Sequence, residues 1–183
     1  TTVEMLLSTE YAYLDFGNAQ GFLKSYKGSK YSFLGVLPNE GVNIYDFVNG
    51  LTGDKYYEAM NAKQSVKVNA GIPEFTFDYS ANLSENLKDM GIRRAFEPSG
   101  DFAKMGKTVS GDELYLGYFL QKTKIELDRN GTKAAAISFG GMKGNSAPAP
   151  EKEYEIILNR PFTFGIVENA TGLPLFLGAV TKL

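Results

Sequence analysis

The sequence predicts an α+β fold, mostly antiparallel β-sheets with a few short helices. Three observations point there. Runs rich in Val, Ile, Leu, Tyr and Phe recur along the chain, divided by turn signals such as Gly17-Asn18 and Pro38-Asn39-Glu40-Gly41. From Gln121 to Asp128, uncharged and charged residues alternate at period two, the pattern of a strand with one face in water. Helical spacing, by contrast, is confined to short stretches. A chain of 183 residues, 43% hydrophobic and 13% aromatic, is enough for one globular domain with a real core.

Taken in order, Val3–Leu7 and Tyr11–Phe16 have strand-like content, and Phe22–Tyr26 is a short strand ended by Lys27-Gly28-Ser29-Lys30. Tyr31–Leu37 is nearly all apolar, as a strand covered on both faces should be. These four pieces are expected to pair antiparallel. Ile44, Phe47, Val48 and Leu51 recur at helical spacing behind Asn43, a good N-cap, and a second short helix runs from about Asp54 to Met60. Ser65–Val68 and Ile72–Tyr79 read as strands. Leu83, Leu87 and Met90 form one helical face that Gly91 terminates. Arg93–Met105 is an irregular connection, and Leu114–Asp128 is the best strand in the chain. Tyr154–Leu158, Phe162–Val167 and Leu175–Val180 complete the set, the last two as a buried terminal hairpin around the turn Asn169-Ala170-Thr171-Gly172.

Between the strand ending at Asp128 and the one beginning near Tyr154 lies a long stretch rich in Gly, Ala, Ser and Pro. If it were extended, Thr132, Ala134, Ala136, Ser138, Gly140 and Met142 would share one face, and Lys133, Ala135, Ile137, Phe139, Gly141 and Lys143 the other. Both lysines fall on one side. The other carries small uncharged side chains that could slide against a sheet's core face with little desolvation cost. Two readings are open: a flexible linker between domains, or a loop able to become a strand.

Composition excludes several chemistries. Formal charge is -2 and the sequence pI about 5.3, with no long run of one sign, so no nucleic-acid partner is expected. No apolar run reaches the length of a membrane span. Cysteine and histidine are both absent, which removes disulfides, thiolate nucleophiles, Ser-His and Cys-His mechanisms and the usual zinc sites. The carboxylate pairs Glu85/Asp89 and Glu151/Glu153 show no reason for their pKa values to split, so they read as solvated faces. Gly140-Gly141 and Gly131-Thr132-Lys133 lack the spacing of a phosphate-binding loop. Asn169-Ala170-Thr171 fits a glycosylation sequon, but turn chemistry accounts for it better. No catalytic residue, metal or cofactor is expected. Because the chain begins at Thr1 and not at Met, an upstream segment is expected to have been removed or left out, and a signal peptide could be part of it.

The run from Gln121 to Ala136, through Gly131-Thr132-Lys133-Ala134-Ala135-Ala136, resembles the hinge that precedes the reactive loop of serpins. Ile72-Pro73-Glu74-Phe75, the segment Asn82–Ile92 and Ala95-Phe96 resemble the strand and helix before it. Leu158-Asn159-Arg160-Pro161-Phe162 with Phe164 is similar to the signature after the loop, and Leu175–Val180 to the family's closing strand. Leu34–Gly41 also fits. The order is right through nearly the whole chain, and in that context the loop reading of this Gly/Ala/Ser/Pro-rich stretch overtakes the linker. The resemblance implies that residues 1–183 are the C-terminal half of a serpin domain. That half would hold strands of sheets B and C, short helices, two strands of the main sheet, a reactive loop at about 131–150 and a terminal hairpin. By the same resemblance, the first half of the fold is expected to lie outside these residues.

The resemblance implies inhibition of a serine protease, or of a cysteine protease, by loop cleavage and insertion of the freed hinge as a new strand. The hinge would be Gly131, Thr132, Ala134, Ala135 and Ala136. The attacked bond would lie between Met142 and Ser146, with Met142, Lys143, Asn145 and Ser146 as candidates. By the same resemblance, Glu74 and Arg129 hold a main-sheet ion pair with both charges reversed from the family's usual order. Gln121 stands where serpins commonly place a histidine at the sheet's shutter, and Thr163 and Gly165 stand where larger apolar residues are usual. Secretion or a cell-surface location is implied as well. A second reading, from another class, is a truncated or non-inhibitory binding or structural module. Such a module would pair with a missing N-terminal half or with a second copy of itself.

Overall fold

The structure, a computed structural model, describes residues 4–98, 102–128 and 152–182. They form two compact units. One contains the chain up to Glu74 and again from Leu127; the other is Phe75–Glu126.

The first unit is built on two sheets. Strands β1 (Met5–Glu10), β2 (Tyr13–Asp15), β3 (Ala19–Ser25) and β4 (Tyr31–Pro38) precede two helices, α1 (Ile44–Gly50) and α2 (Gly53–Asn61), and then strand β5 (Lys67–Pro73). After the second unit come β8 (Glu153–Ile157), β9 (Phe162–Glu168) and β10 (Pro174–Val180). A five-stranded antiparallel sheet has the order β10-β9-β4-β3-β2, with Leu34 opposite Gly165 on one side and Leu23 on the other. A three-stranded sheet has the order β1-β5-β8, where β5 runs antiparallel to β1 and parallel to β8. The antiparallel expectation for the first four strands therefore holds, but β1 joins a different sheet from the other three.

β4 is buried from Ser32 to Pro38, as its near-continuous apolar sequence requires of a strand flanked and covered on both sides. Phe22, Phe162, Leu14, Ile72, Ile156, Leu158, Val36, Val68 and Val167 are fully buried between the elements of this unit. Burying each large apolar side chain contributes about 1.5–3 kcal/mol. Gly35 leaves the space that Phe22 and Leu158 occupy: a Cβ there would meet the Phe22 ring at 2.9 Å. Helix α1 starts where the Asn43 carboxamide accepts a hydrogen bond from the Tyr45 amide at 2.8 Å, the expected cap. Helix α2 starts with the Thr52 hydroxyl accepting from the Lys55 amide at 3.3 Å. Their buried residues Ile44, Phe47 and Tyr56 pack on Leu14, Leu34, Val36 and Val167.

The second unit holds β6 (Phe75–Asn82), α3 (Ser84–Asp89), a single 3-10 turn at Arg94–Phe96 and β7 (Leu120–Leu127, which crosses into the first unit at its last residue). β6 and β7 are neighbours. The Leu83 amide, just past β6, donates to the Phe119 carbonyl just before β7 (2.8 Å), so the two strands run antiparallel. The Ser84 hydroxyl staples the same corner, donating to Asn82 (2.6 Å) and accepting from the Phe119 amide (2.8 Å). Gly91, at φ +97°, closes α3 in the left-handed conformation as expected.

Four expectations are corrected. Ile72–Tyr79 is not one strand: β5 stops at Pro73, which has no N–H to continue a ladder, and β6 begins at Phe75. The regular part of β7 starts at Leu120 and not at Leu114, because the preceding residues turn back, with the Leu116 amide bonded to the Ala95 carbonyl (2.9 Å). Met90 does not share the half-buried face of Leu83 and Leu87. It follows the last residue of α3 and is 79% exposed. The terminal hairpin forms, but only β9 is buried. β10 is the outermost strand of its sheet among the described residues, and Leu175, Phe176 and Leu177 are exposed.

Candidate functional site

The chain between Asp128 and Lys152 lies outside the described residues, and with it Arg129, the hinge Gly131, Thr132, Ala134, Ala135 and Ala136, and the reactive-site candidates Met142, Lys143, Asn145 and Ser146. What is described is how this segment is entered and left.

It is entered from β7. Thr123, Ile125 and Leu127 are half-buried while Lys122, Lys124 and Glu126 are exposed, so the alternation read from the sequence holds from Thr123 onward. Gln121 is exposed, and so sits outside the covered part of that face. Lys124 pairs with Glu126 at 2.5 Å, and this bond holds the ammonium above its ordinary pKa. Glu74 lies at the junction of β5 and β6. It is half-buried, and its amide donates to the Glu4 carbonyl at 3.0 Å.

The exit is β8, and here the contacts are dense. The Glu153 carboxylate binds the Lys67 ammonium (2.7 Å) and accepts from the Asn69 carboxamide, both on β5; the Lys67 bond, then the Asn69 one, hold the acid below its ordinary pKa. The Tyr154 ring stacks on Tyr13 of β2, centroids 3.7 Å apart and planes 9° from parallel. Tyr13 is 3% exposed. The Lys152 ammonium sits 4.9 Å from the centre of the Tyr154 ring. Ile156 and Leu158 are buried, and the Leu158 amide donates to the Gly71 carbonyl (2.8 Å). Beyond them the Arg160 guanidinium donates to the Pro38 carbonyl (2.8 Å), tying the β8–β9 connection to the end of β4.

Of the carboxylate pairs, Glu85 binds Lys88 (2.8 Å) and Glu153 binds Lys67, each a solvated ion pair, while Glu151 lies outside the described residues. The sequon asparagine is a turn fastener. Asn169 accepts from the Ser32 hydroxyl (2.7 Å) and donates its carboxamide to the Ser29 carbonyl (2.8 Å), and Gly172 follows at φ +70°. Sequence reasoning missed Tyr13 and Tyr154. The signal available was slight: an aromatic placed among Lys152, Glu153 and Glu155 at the start of an edge strand.

These observations describe three sheets, one mixed, one five-stranded and antiparallel and one the β6–β7 pair, with an alternating strand leading into residues 129–151 and a pinned strand following them. The family model described as serpin (serine protease inhibitor) matches residues 1–183, and the chain belongs to the serpin family, a family of protease inhibitors. It is 35% identical over 161 residues to glia-derived nexin of Mus musculus, covering 86% of this chain and 38% of that protein. It is 30% identical over 158 residues to intracellular coagulation inhibitor 2 of Tachypleus tridentatus, again covering 86% and 38%. Among solved structures, that of the thermophilic serpin tengpin in its native state is similar with a TM-score of 0.81 and 36% identity, over 100% of this chain and 47% of that one. The chain thus spans less than half the length of these relatives, and its fold is part of theirs. No helix among the described residues is long and apolar enough to cross a membrane.

The two departures from the family signature have a structural setting. A Cβ at Gly165 would meet the Phe176 carbonyl at 2.8 Å, so glycine there lets β10 approach β9 closely. Thr163 borders a cavity of about 470 Å³ walled by Leu34, Val36, Tyr56, Phe164 and Leu177, so the smaller side chain faces open space.

Proposed function

We propose that this chain carries the protease-engaging part of a serpin, with residues 131–150 as the bait loop. A serine or cysteine protease attacks a bond between Met142 and Ser146 and forms an acyl-enzyme. The hinge Gly131–Ala136 then inserts as a strand, Thr132, Ala134, Ala136 and Ser138 turning inward and Lys133 outward. The gain in strand hydrogen bonds and burial drives the change and distorts the bound protease before the ester hydrolyses. The observation that carries this reading is the family match over the whole chain, with a regular alternating strand leading into the segment. The protease is the expected partner, and no nucleic acid, metal or cofactor enters the scheme. Secretion or cell-surface exposure suits the same reading, although a relative named as intracellular shows that family membership alone does not set location.

Incubation with trypsin-like, elastase-like and subtilisin-like proteases, read by mass spectrometry and denaturing gels, tests it. Cleavage is expected after Lys143 with the first enzyme and after Met142 with the others, accompanied by a denaturant-resistant complex. Cuts confined to positions outside 142–146 would refute it.

Within this scheme Glu74 and Arg129 form the ion pair that holds the loop's entry, the arginine being able to grip the carboxylate through two hydrogen bonds. Arg129→Glu is then expected to loosen the hinge or promote polymerisation, and Glu74→Lys with Arg129→Glu to restore wild-type behaviour. A double variant no better than either single one removes the pair from the scheme.

A second reading, a binding or structural module that self-associates or takes up a missing N-terminal half, is favoured by one observation. β10 ends its sheet with Leu175, Phe176 and Leu177 exposed at 46%, 52% and 66%. An apolar edge of this kind invites pairing. Light scattering after gel filtration distinguishes the readings, since a stable monomer across the micromolar range leaves the second without support.

A further inference from the structure

We propose that the first residues of β8 form a two-faced anchor that fixes where the segment before it leaves the body of the protein, with Tyr13 and Tyr154 as its positioning residues. β8 is an edge strand of five residues, held by a neighbouring strand on one side only among the described residues. Such a strand frays from its free end unless side chains hold it. Here successive side chains point to opposite faces, and each is gripped on its own side. Glu153, on the wet face, is held by Lys67 and Asn69 of β5. Tyr154, on the inner face, is stacked on Tyr13. Tyr13 cannot yield: it is 3% exposed, and its backbone N–H and C=O are both bonded to Gln64 at 3.0 Å. Because Tyr13 belongs to the five-stranded sheet and Tyr154 to the three-stranded one, the stack also joins the two sheets. Lys152, over the Tyr154 ring, is thereby drawn back onto the strand.

The inference rests on residues 131–150 being the loop a protease meets, and its consequence there is a fixed loop length. A loop that lengthens by unpeeling β8 moves the attacked bond relative to the body and opens new bonds inside 153–157 to cleavage.

Hydrogen exchange read by mass spectrometry, without any protease, tests the anchor directly. In Tyr154→Ala, amides of Ile156 and Ile157 are expected to exchange roughly tenfold faster while those of β9 keep their wild-type rates. Tyr154→Phe, which keeps the stack, is expected to match the wild type. Lys67→Met, which releases the other face, is expected to speed exchange in the same peptide and serves as the working variant if Tyr154→Ala does not fold. Subtilisin digestion without denaturant should then add cuts within 153–157 in the released variants only and leave β9 uncut, a pattern that general destabilisation does not produce. Unchanged exchange in both released variants overturns the proposal. Protection of β8 together with no cleavage at 142–146 leaves the anchor standing and removes the bait-loop reading instead.

Discussion

As the pH rises from below 10 to well above 12 the protein is expected to lose roughly 5 kcal/mol of stability, an amount comparable with the whole margin of many domains. Of its 11 tyrosines, two are pushed furthest and carry most of this, while burial also raises Tyr26. The Tyr13 phenol is pushed up to about 12 by burial, then by the Asp15 charge and by Tyr154. Tyr56 is pushed to about 12 by burial and by its neighbour Tyr57, and its hydroxyl donates to the Gly172 carbonyl at 2.7 Å. Both are almost fully buried. The sign follows from where each state gives up its proton. Below the ordinary tyrosine pKa of 10.0 both states are neutral and native stability is complete. Above it the unfolded chain releases protons that the folded chain retains, so stability falls until the folded pKa near 12 is passed. Each group contributes about 2–3 kcal/mol to that loss, at about 1.4 kcal/mol per pKa unit. Urea unfolding at intervals of pH, compared with Tyr13→Phe and Tyr56→Phe, checks it, because the variants share the lysine titration of the wild type. Their pH curves should each be flatter. A wild type and a double Tyr→Phe variant with parallel curves would show that neither phenol is perturbed.

Lys24→Met is expected to cost about 3–5 kcal/mol, the usual loss when one member of a buried ion pair is removed. Lys24 lies on β3 with its side chain 5% exposed, and its ammonium meets Glu10 of β1 at 2.7 Å, with the Glu10 side chain 14% exposed. The same carboxylate oxygen accepts from the Ser8 hydroxyl at 2.8 Å. The pair bridges the two sheets of the first unit, and Glu10 without it would be a nearly buried charge supported by one hydroxyl. Replacing both, Lys24→Met with Glu10→Leu, is expected to recover most of the loss, since an apolar pair of similar volume avoids both desolvation costs. Chemical denaturation of the two single variants and the double one closes the cycle. A Lys24→Met protein within 0.5 kcal/mol of wild type, about the scatter of an ordinary surface substitution, would show that the pair is solvated in practice.

Local chemistry was the most legible part of the molecule. Asn43 announces α1 because a side-chain acceptor placed before an apolar period is what a helix start needs, and the cap is there. Gly91 and Gly172 mark their turns because both take up the left-handed conformation that glycine adopts at no cost. β4 was readable as a doubly covered strand, since no exposed face tolerates seven consecutive buried positions. The family signature was legible for the same reason: it lies in contiguous runs such as Leu158–Phe162 and the stretch from Gln121 to Ala136.

Whatever depended on a distant neighbour was not legible. β10 has the same apolar content as a core strand, but its place at the end of the order β10-β9-β4-β3-β2 leaves Leu175, Phe176 and Leu177 uncovered among the described residues. Periodicity reports which residues share a face and is silent on what lies against it. By itself, then, the sequence determined the fold class, most of the strands and helix caps, and the family. Only the tertiary structure decided that β1 leaves its sequence neighbours to pair with β5, that Lys24 finds Glu10, and that Tyr154 lies on Tyr13. The reason is physical. Backbone conformation answers to side chains a few positions away, whereas burial and pairing are properties of whatever the chain's later course brings alongside.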